Sequence, residues 1–372
     1  MKKRIRTEAD GASAASAVII AEIGTSHGGD LKKAADLIAA AAESGADVLK
    51  TQIVFADEII HPNTGEVSLP GGSIRLYDSF RALEQKPEFY LELKRMSEAE
   101  GMEFLASPFG SRSLEILLSL GGDSIKIASP ELNHFPLLAG AAASGRRIIL
   151  STGVSRLADI EAALDVTGRG RTELMHCITS YPAPEEQYNL RVIPALCAAF
   201  GVPAGISDHS LCPRLVPGLS AALGACSIEK HFTLSRSGSG LDDPIALPPR
   251  DFAEMTAFVR SVEAEADALA MMESEFGRQR IKTVLGDGVK RLADSEAENY
   301  GRTNRSVHAL RTLEAGEVID ETNTALLRTE KKLRPGIRPE LWNEVIGRKL
   351  SRRVESGEGI VFGDLFDAPR VL

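Results

Sequence analysis

The sequence has 372 residues, 43% of them hydrophobic, which is enough for a large core and more than one domain. Its formal net charge of −9, without a stripe of lysine and arginine, argues against a nucleic-acid-binding protein. No run approaches the roughly 18 apolar residues of a membrane span. The 4 cysteines show no CxxC spacing and favour free thiols in a reducing compartment, which predicts a cytoplasmic protein.

Residues 1–17 begin basic and continue through small side chains, and they lack the apolar run of a targeting segment. After this extension, short apolar runs that end in polar residues alternate with helical spacing. We predict strands at 18–24, 46–53, 102–109, 123–129, 146–153, 173–180, 202–209 and 226–233. Eight such units predict a (β/α)8 TIM barrel over residues 18–276. A doubly wound sheet is the alternative, but no glycine-rich dinucleotide fingerprint follows the first strand.

Three further segments interrupt or follow the barrel pattern. Residues 55–87 contain many glycines, prolines and serines, which predicts a surface loop or lid between the second and third strands. Residues 277–304 are charged and are predicted to link the barrel to a second domain. Short β-rich runs with EAGE and ESGE turns then predict a small β-rich domain over residues 305–372.

Two histidines lie at the ends of the last two predicted barrel strands. Because side chains alternate along a strand, Ser207 and His209 share one face, as do Glu229 and His231. On neighbouring parallel strands the two imidazoles would meet at one edge, where a divalent transition metal keeps positions open for a substrate. The alternative is that each histidine is a hydrogen-bonded structural residue.

The C-terminal strand ends of a barrel form its active site, and each predicted strand here ends in polar residues. Lys50 and Lys126 suit a phosphate group, with the lysines as point charges and nearby hydroxyls as directed donors. Lys126 is costly to bury inside a strand without an anion, whereas Lys50 could instead pair with Glu22. The other candidates at these strand ends are Gln52, Ser107, Ser129, Glu131, Ser151, Thr179, Tyr181 and Ser207.

In chain order, the motifs AEIGTSHGGD, KTQ, ASPF, IKIASPEL, ILSTG, HCITSYPAPEEQYNL, GISDHS, IEKHFT and GLDD resemble those of sialic acid synthases. The downstream segment resembles the antifreeze-like (SAF) domain of the same family. The resemblance covers about residues 18–368, and its most specific parts are IKIASPE, SDH and EKHFT in this order.

The resemblance implies that phosphoenolpyruvate condenses with an aldose similar to N-acetylmannosamine, giving a nonulosonic acid and inorganic phosphate. It implies that His209 and His231 bind a divalent metal, Mn²⁺ or alternatively Mg²⁺ or Co²⁺. The residues implied to surround phosphoenolpyruvate are Lys50, Ser107, Lys126, Ser129, Ser151, Thr179 and Ser207. Those implied to face the sugar or the reacting centre are Glu22, Gln52, Tyr181 and Asp242, with Glu131 managing the proton.

The SAF domain of this family resembles a lid that closes the partner's barrel in a domain-swapped homodimer and gives an arginine to the sugar. The corresponding stretch LRTEKKLRPGI offers both Arg328 and Arg334, and the following Pro-Gly favours Arg334. The alternative is that this arginine lies in a solvated basic turn.

Several positions depart from the family pattern, mostly on the sugar side, namely Ser26, Gly28, Pro130, Thr179, Asp243 and Ala246. They predict an intact phosphoenolpyruvate half and an unusual acceptor. Alternative acceptors are a phosphorylated hexosamine, a 2,4-diacetamido trideoxyhexose of the legionaminic or pseudaminic type, and a spore-coat polysaccharide precursor. Two other classes stay open: a Schiff-base aldolase that uses Lys126 or Lys50, and a non-catalytic sugar-binding protein.

Overall fold

The computed structural model describes residues 16–69, 72–238 and 240–366. Most of the predicted N-terminal extension at 1–17, and the last six residues of the predicted second domain, lie outside the described residues. The described part contains two bodies, a large barrel and a smaller domain that packs on it.

The elements alternate as the sequence predicts. The strands are β1 Val18–Gly24, β2 Val48–Ile53, β3 Glu66–Leu69, β4 Gly72–Arg75, β5 Glu103–Pro108, β6 Ser124–Ile127, β7 Arg147–Ser151, β8 Thr172–Cys177, β9 Ala204–Asp208, β10 Ser227–His231, β11 Ser306–Ala309 and β12 Thr324–Leu327. The α-helices are α1 Leu31–Glu43, α2 Leu76–Ala82, α3 Pro87–Ala99, α4 Ser111–Ser119, α5 Phe135–Ala143, α6 Leu157–Thr167, α7 Val192–Phe200, α8 Leu215–Ala222, α9 Pro249–Ala264, α10 Ala268–Phe276, α11 Arg278–Leu285 and α12 Trp342–Val345.

Eight of these strands form one parallel sheet in the order β5-β2-β1-β10-β9-β8-β7-β6. Strands β5 and β6, at the two ends of this order, lie against each other, so the sheet curls into a nearly closed barrel. The prediction of a (β/α)8 barrel is therefore confirmed. The neighbouring pair β9 and β10 carries the two histidines at its C-terminal end, as the alternation predicts.

The strands and helices bury a continuous apolar layer between them. Helix α1 shows why they form: Asp30 caps its first turn by accepting from the Lys32 and Lys33 N–H groups. Its buried positions Leu37 and Ile38, with alanines one turn away, face the strands. The other barrel helices also bury apolar side chains in this layer.

A separate apolar layer fills the floor of the barrel. It consists of Val18, Ile20, Val48, Leu105, Ile149 and Met175. Because strand side chains alternate, the residues two positions further on the same face lie directly above this floor. They include Glu22, Lys50, Ser107, Ser151 and Cys177. The barrel interior is thus closed below and polar above, at the end where the strands terminate.

The insertion after β2 is an ordered cap, although the sequence predicts a loop or lid. Its hairpin β3–β4 and helix α2 bury a small apolar cluster over the barrel mouth. The members of this cluster are Val54, Ile59, Ile60, Val67, Leu76 and Phe109. Short apolar runs separated by turn residues gave no helical or strand period long enough to predict these elements.

The second domain has its own core, which includes Val307, Ile319 and Ile360. The predicted linker at 277–304 is not an extended connection, since α11 lies within it and its buried Ile281 and Val284 pack in the barrel layer. The domain rests on the barrel mouth of its own chain. There the backbones of Arg328 and Ile60 form an isolated parallel β-bridge. Exchange of this domain between two subunits stays a prediction.

Candidate active site

A cavity of about 500 Å³ opens at the C-terminal ends of the barrel strands, under the insertion and the second domain. This volume suits two small substrates side by side. Most of the predicted site residues line the cavity: Glu22, Lys50, Gln52, Lys126, Ser129, Ser151, Tyr181, Ser207, His209, His231 and Asp242. Four do not line it, namely Ser107, Glu131, Thr179 and Arg334.

The two lysines lie deep in the cavity and share carboxylate partners. Lys50 Nζ is 2.7 Å from Glu22 Oε2 and 3.4 Å from Glu229 Oε1. Lys126 Nζ is 3.3 Å from Glu229 Oε2 and donates to Ser151 Oγ at 2.7 Å. Glu229 therefore bridges both ammonium groups, so the predicted pairing of Lys50 with Glu22 and the predicted cradle are parts of one network.

Burial and charge act in opposite directions within this network. Burial lowers the pKa of Lys126, and Glu229 offsets only part of that effect. For Lys50 burial acts in the same direction, but Glu22 and Glu229 outweigh it and raise its pKa. Burial alone would raise the pKa of Glu229, but Lys126 and Lys50 outweigh it and lower that pKa to about 2. Glu22 keeps a raised pKa because its burial outweighs the attraction of Lys50.

Hydroxyl groups surround the lysines on neighbouring strand ends. Ser207 Oγ donates to Glu229 Oε1 at 2.9 Å, and Ser129 Oγ accepts the Gly153 N–H at 3.0 Å. With Ser151 they form a wall of small donors beside two ammonium groups. Such a set can bind a phosphate and a carboxylate through charge-assisted hydrogen bonds.

His209 and His231 face each other across the strand ends, with ring centroids 5.4 Å apart. Metal–imidazole bonds are about 2.1 Å long, so two rings on one ion have centres roughly 5 to 6 Å apart. His209 Nδ1 donates to the Ile178 carbonyl at 2.8 Å, which leaves Nε2 as the free ligand nitrogen. Burial, together with His209 and Lys50, holds the pKa of His231 far below its ordinary value, so that ring stays neutral.

The residue types present fit a divalent metal with open positions. Among the described residues no group of three or more His, Cys, Asp or Glu side chains forms a metal cluster. The protein would thus supply two imidazoles, and water or substrate oxygens the remaining ligands. Asp242 Oδ2 lies 3.7 Å from His231 Nδ1 and can orient that ring.

A buried network behind the strands fixes the position of His209. Lys230, which points to the opposite face from Glu229 and His231, pairs with Asp208 Oδ2 at 2.5 Å. Tyr188 donates to Asp208 Oδ1 at 2.6 Å and its hydroxyl accepts the His209 N–H at 2.8 Å. On the cavity side the Tyr181 ring stacks on His209 with centroids 4.2 Å apart.

The upper wall of the cavity is largely apolar. The insertion contributes Ile74, Leu76 and Phe80, and the loop after β10 contributes Leu241 and Ile245. The polar groups on this side are Gln52, Thr25, Asp242 and Arg328. Burial and the nearby Glu22 raise the pKa of Asp242 to about 6.

The arginine of the second domain that reaches the cavity is Arg328, and this corrects the preference for Arg334. Arg334 donates to Asp364 Oδ2 at 2.8 Å and to the Gly359 carbonyl, which holds it inside its own domain. Arg328 follows β12 and lies beside the insertion, where its backbone N–H donates to the Ile59 carbonyl. Pro-Gly after Arg334 forms part of that domain's core contact rather than a turn at the cavity.

Glu131 is also placed differently from its predicted role. Its carboxylate is fully buried and accepts from Arg305 Nη2 at 2.7 Å and from Arg328 Nη2 at 2.6 Å. It does not line the cavity, and the carboxylates that do are Glu22, Glu229 and Asp242. The sequence suggests catalysis because an acidic residue follows a barrel strand. The arginine partners of Glu131 are 174 and 197 residues away, so nothing near Glu131 in the sequence indicates them.

The other two predicted residues that do not line the cavity are Ser107 and Thr179. Ser107 is buried and its Oγ has no protein partner. The Thr179 N–H donates to Glu296 Oε2 at 2.7 Å, and Glu296 Oε1 accepts the Val154 N–H. Sequence reasoning missed Glu296 because it lies in the predicted linker. It also missed Gly153, whose site has no room for a side chain beside Thr179.

Comparisons with known proteins show what the whole chain is similar to. Residues 37–269 match the NeuB family and residues 304–365 match the SAF domain. The chain is 32% identical to the N,N'-diacetyllegionaminic acid synthase of Legionella pneumophila, over 92% of this chain and 93% of that protein. None of the helices in the described residues has the length and apolar character needed to cross a membrane.

Two solved structures share the fold over most of the chain. The spore coat polysaccharide biosynthesis protein SpsE from Bacillus subtilis superposes with a TM-score of 0.80 at 32% identity, covering 95% of this chain and 96% of that one. The N-acetylneuraminic acid synthetase from Leptospira borgpetersenii gives a TM-score of 0.61 at 31% identity, covering 77% and 91%.

Proposed function

The chain is an enzyme of the NeuB family, and from this premise we propose that it condenses phosphoenolpyruvate with an amino-sugar aldose to give a nonulosonic acid and inorganic phosphate. One observation carries the proposal. The paired imidazoles of His209 and His231 and the ammonium groups of Lys50 and Lys126 converge in one cavity. The phosphate and carboxylate of phosphoenolpyruvate need the two ammonium groups. The aldehyde of the acceptor needs a Lewis acid beside them, which the two imidazoles could hold.

Phosphoenolpyruvate would lie deepest, against Lys50, Lys126 and the serine wall. Its phosphate and carboxylate replace Glu229 and Glu22 as partners of the two ammonium groups, so these carboxylates must turn or take up a proton. Glu22 suits proton uptake because its pKa is already raised. The two ammonium groups then offset the charge that develops on phosphate as its C–O bond breaks.

The reaction joins C3 of phosphoenolpyruvate to the aldehyde carbon of the acceptor. Water then adds at C2, and the bond from C2 to the phosphate oxygen breaks. Glu22 and Asp242 are the cavity carboxylates with raised pKa values, and that of Asp242 is about 6, so these two are the candidates to hold or accept a proton. Glu22 is the better candidate because Asp242 lies beside His231.

We assign His209 and His231 as ligands of a divalent metal, with Mn²⁺ as the first candidate and Mg²⁺ or Co²⁺ as alternatives. When bound, such an ion acts as a Lewis acid for a carbonyl oxygen. The chain's own contribution is to hold both imidazoles in place through Ile178, Tyr188 and Asp242.

The upper wall favours an acceptor with few hydroxyls. Ile74, Leu76 and Phe80 would contact a deoxy carbon or an acetamido methyl group, whereas a sugar phosphate needs a cluster of cations. On this side Arg328 is the cation that lines the cavity. A 2,4-diacetamido trideoxyhexose therefore suits the site better than a phosphorylated hexosamine, with N-acetylmannosamine between them.

The test is phosphate release from phosphoenolpyruvate with a panel of acceptors in the presence of Mn²⁺. N-acetylmannosamine, its 6-phosphate and a 2,4-diacetamido trideoxyhexose would be compared, with mass spectrometry of the products. We expect acceptor-dependent release and a product mass equal to acceptor plus pyruvate. Pyruvate trapped on a lysine by borohydride would instead identify the Schiff-base aldolase, and sugar binding without turnover would identify a sugar-binding protein.

A further inference from the structure

Arg305, the residue before β11, is buried between the second domain and the barrel, with 1% of its surface exposed. Its guanidinium donates to Glu131 Oε1 from Nε at 3.1 Å and from Nη2 at 2.7 Å. Its remaining partners are the carbonyl groups of Glu58, Ile59, Phe109 and Leu326. The Asn133 side chain also binds the backbone of Arg305. It accepts from the Arg305 backbone N–H and donates to the Arg305 carbonyl.

These partners belong to the segments that form the upper wall of the cavity. Glu58 and Ile59 begin the insertion, and Phe109 lines the cavity itself. Glu131 follows the lining residues Ser129 and Pro130. Arg305 therefore contacts the insertion, the end of β5 and the loop after β6, while its own side chain does not line the cavity.

The side chain of Arg328 depends on the same carboxylate. Its Nε and Nη2 donate to Glu131 Oε1 at 3.0 and 2.6 Å, so one oxygen accepts from both arginines. The other oxygen, Oε2, is buried without a hydrogen-bond partner. Burial lowers the pKa of Arg305 to about 10, which still leaves it charged at neutral pH. Two guanidinium groups thus share Glu131, and Arg328 Nη1 also lies 3.9 Å from Glu330 Oε1. Of the two arginines, Arg328 is the one that lines the cavity wall.

We propose that Arg305 is a positioning residue that holds Glu131 in place, so that Glu131 in turn fixes the Arg328 guanidinium in the acceptor half of the cavity. The inference rests on the proposed function, since it assigns Arg328 to the acceptor. Removing Arg305 leaves a buried carboxylate with one arginine and several carbonyl groups without donors. Glu131 and Arg328 must then move, whereas Lys50 and Lys126 keep their own partners.

The test compares Arg305→Met and Arg305→Lys with the control Arg338→Met. Arg338 is a second-domain arginine that also reaches the barrel, at 3.0 Å from Asp159, but it is exposed. For Arg305→Met we expect the acceptor KM to rise about tenfold or more and the phosphoenolpyruvate KM to stay within about twofold. Arg305→Lys should fall between, added guanidinium should lower the acceptor KM of Arg305→Met, and the control should match the wild type.

A purely structural role would change both KM values together, and that result would overturn the proposal. So would an unchanged acceptor KM in both Arg305 variants. If Arg305→Met does not fold, the same comparison of the acceptor KM with the phosphoenolpyruvate KM is made on Arg305→Lys. Hydrogen exchange adds a measurement that does not depend on turnover. The backbone N–H of Arg328, which donates to the Ile59 carbonyl at 2.9 Å, should exchange faster in the Arg305 variants.

The exchange measurement also separates this inference from the proposed function. A wild-type protein that releases no phosphate with any acceptor refutes the proposed function. Slow exchange at Arg328 in every variant refutes the positioning role, whichever substrates the enzyme uses. Protection of the Val307 and Ile360 N–H groups, which pair inside the second domain, confirms that the domain itself stays folded.

Discussion

Gly153 occupies a position where a single added methyl group should disturb the wall of serine hydroxyls beside the two lysines. A Cβ at this position would lie 2.1 Å from Thr179 Oγ1, 2.9 Å from Ser129 Oγ and 3.2 Å from Cys177 Sγ. An ordinary carbon–oxygen contact needs about 3.3 Å, so Thr179 must shift by about 1 Å. The Gly153 backbone does not lie in the left-handed region, so the cost of Gly153→Ala comes from packing alone.

Overpacking of this kind costs about 1 to 3 kcal/mol. For a domain of this size each kcal/mol lowers Tm by about 2 to 4 °C. We therefore expect a Tm fall of about 2 to 12 °C and a higher phosphoenolpyruvate KM, because Ser129 belongs to the serine wall. Thermal unfolding and steady-state kinetics measure the two effects. The matched control is Gly122→Ala, where the added methyl group meets nothing within 4 Å.

The double variant Gly153→Ala/Thr179→Ala removes the closest contact and should recover part of the lost Tm relative to Gly153→Ala. Non-additivity of this sign is the signature of two groups in direct conflict. A single variant as stable as the wild type, or a double variant no more stable than Gly153→Ala, would refute the packing argument.

Four more predictions concern the charged groups. Lys126→Met should raise the phosphoenolpyruvate KM far more than the acceptor KM. Equal changes in both KM values would contradict the proposal that Lys126 binds the phosphate. Chelation should abolish turnover, and calorimetry should show Mn²⁺ binding to the wild type and none to His231→Ala; retained binding in the variant contradicts the ligand assignment. Because the pKa of Glu229 is lowered from 4.5 to about 2 in the folded protein, its contribution to stability is present above pH 4.5 and lost as the pH falls towards 2. Glu229→Gln should flatten the fall of Tm in that window, and an unchanged pH profile refutes the network. Arg328→Met should raise the acceptor KM while Arg334→Met leaves both KM values near wild type, and the reverse pattern would restore Arg334 as the sugar-side residue.

The barrel and the deep half of its site could be predicted because their signals are local. Each strand is an apolar run with a polar end, and alternation alone places Glu229 and His231 on one face and Lys230 on the other. The register of β9 and β10 then brings His209 beside His231. The first fact follows from adjacent residues, and the second from two strands that follow each other along the chain.

The upper half of the site could not be predicted because distant segments decide it. The choice between Arg328 and Arg334 depends on the bridge between Arg328 and Ile60, which pairs the second domain with the insertion. The partners of Glu131 come from the second domain, and no spacing in the sequence connects them. The insertion itself contains elements too short for a clear period.

The apolar floor of the barrel has a kinetic consequence. Val18, Ile20 and Met175 help to close the bottom, so substrates exchange with solvent through the mouth under the second domain. The cations that suit an enol phosphate are the innermost groups, whereas Arg328 and the insertion surround the entrance. On the proposed function, we therefore expect the smaller anion to bind before the sugar and the nonulosonate to leave before a new cycle starts, which is a compulsory binding order.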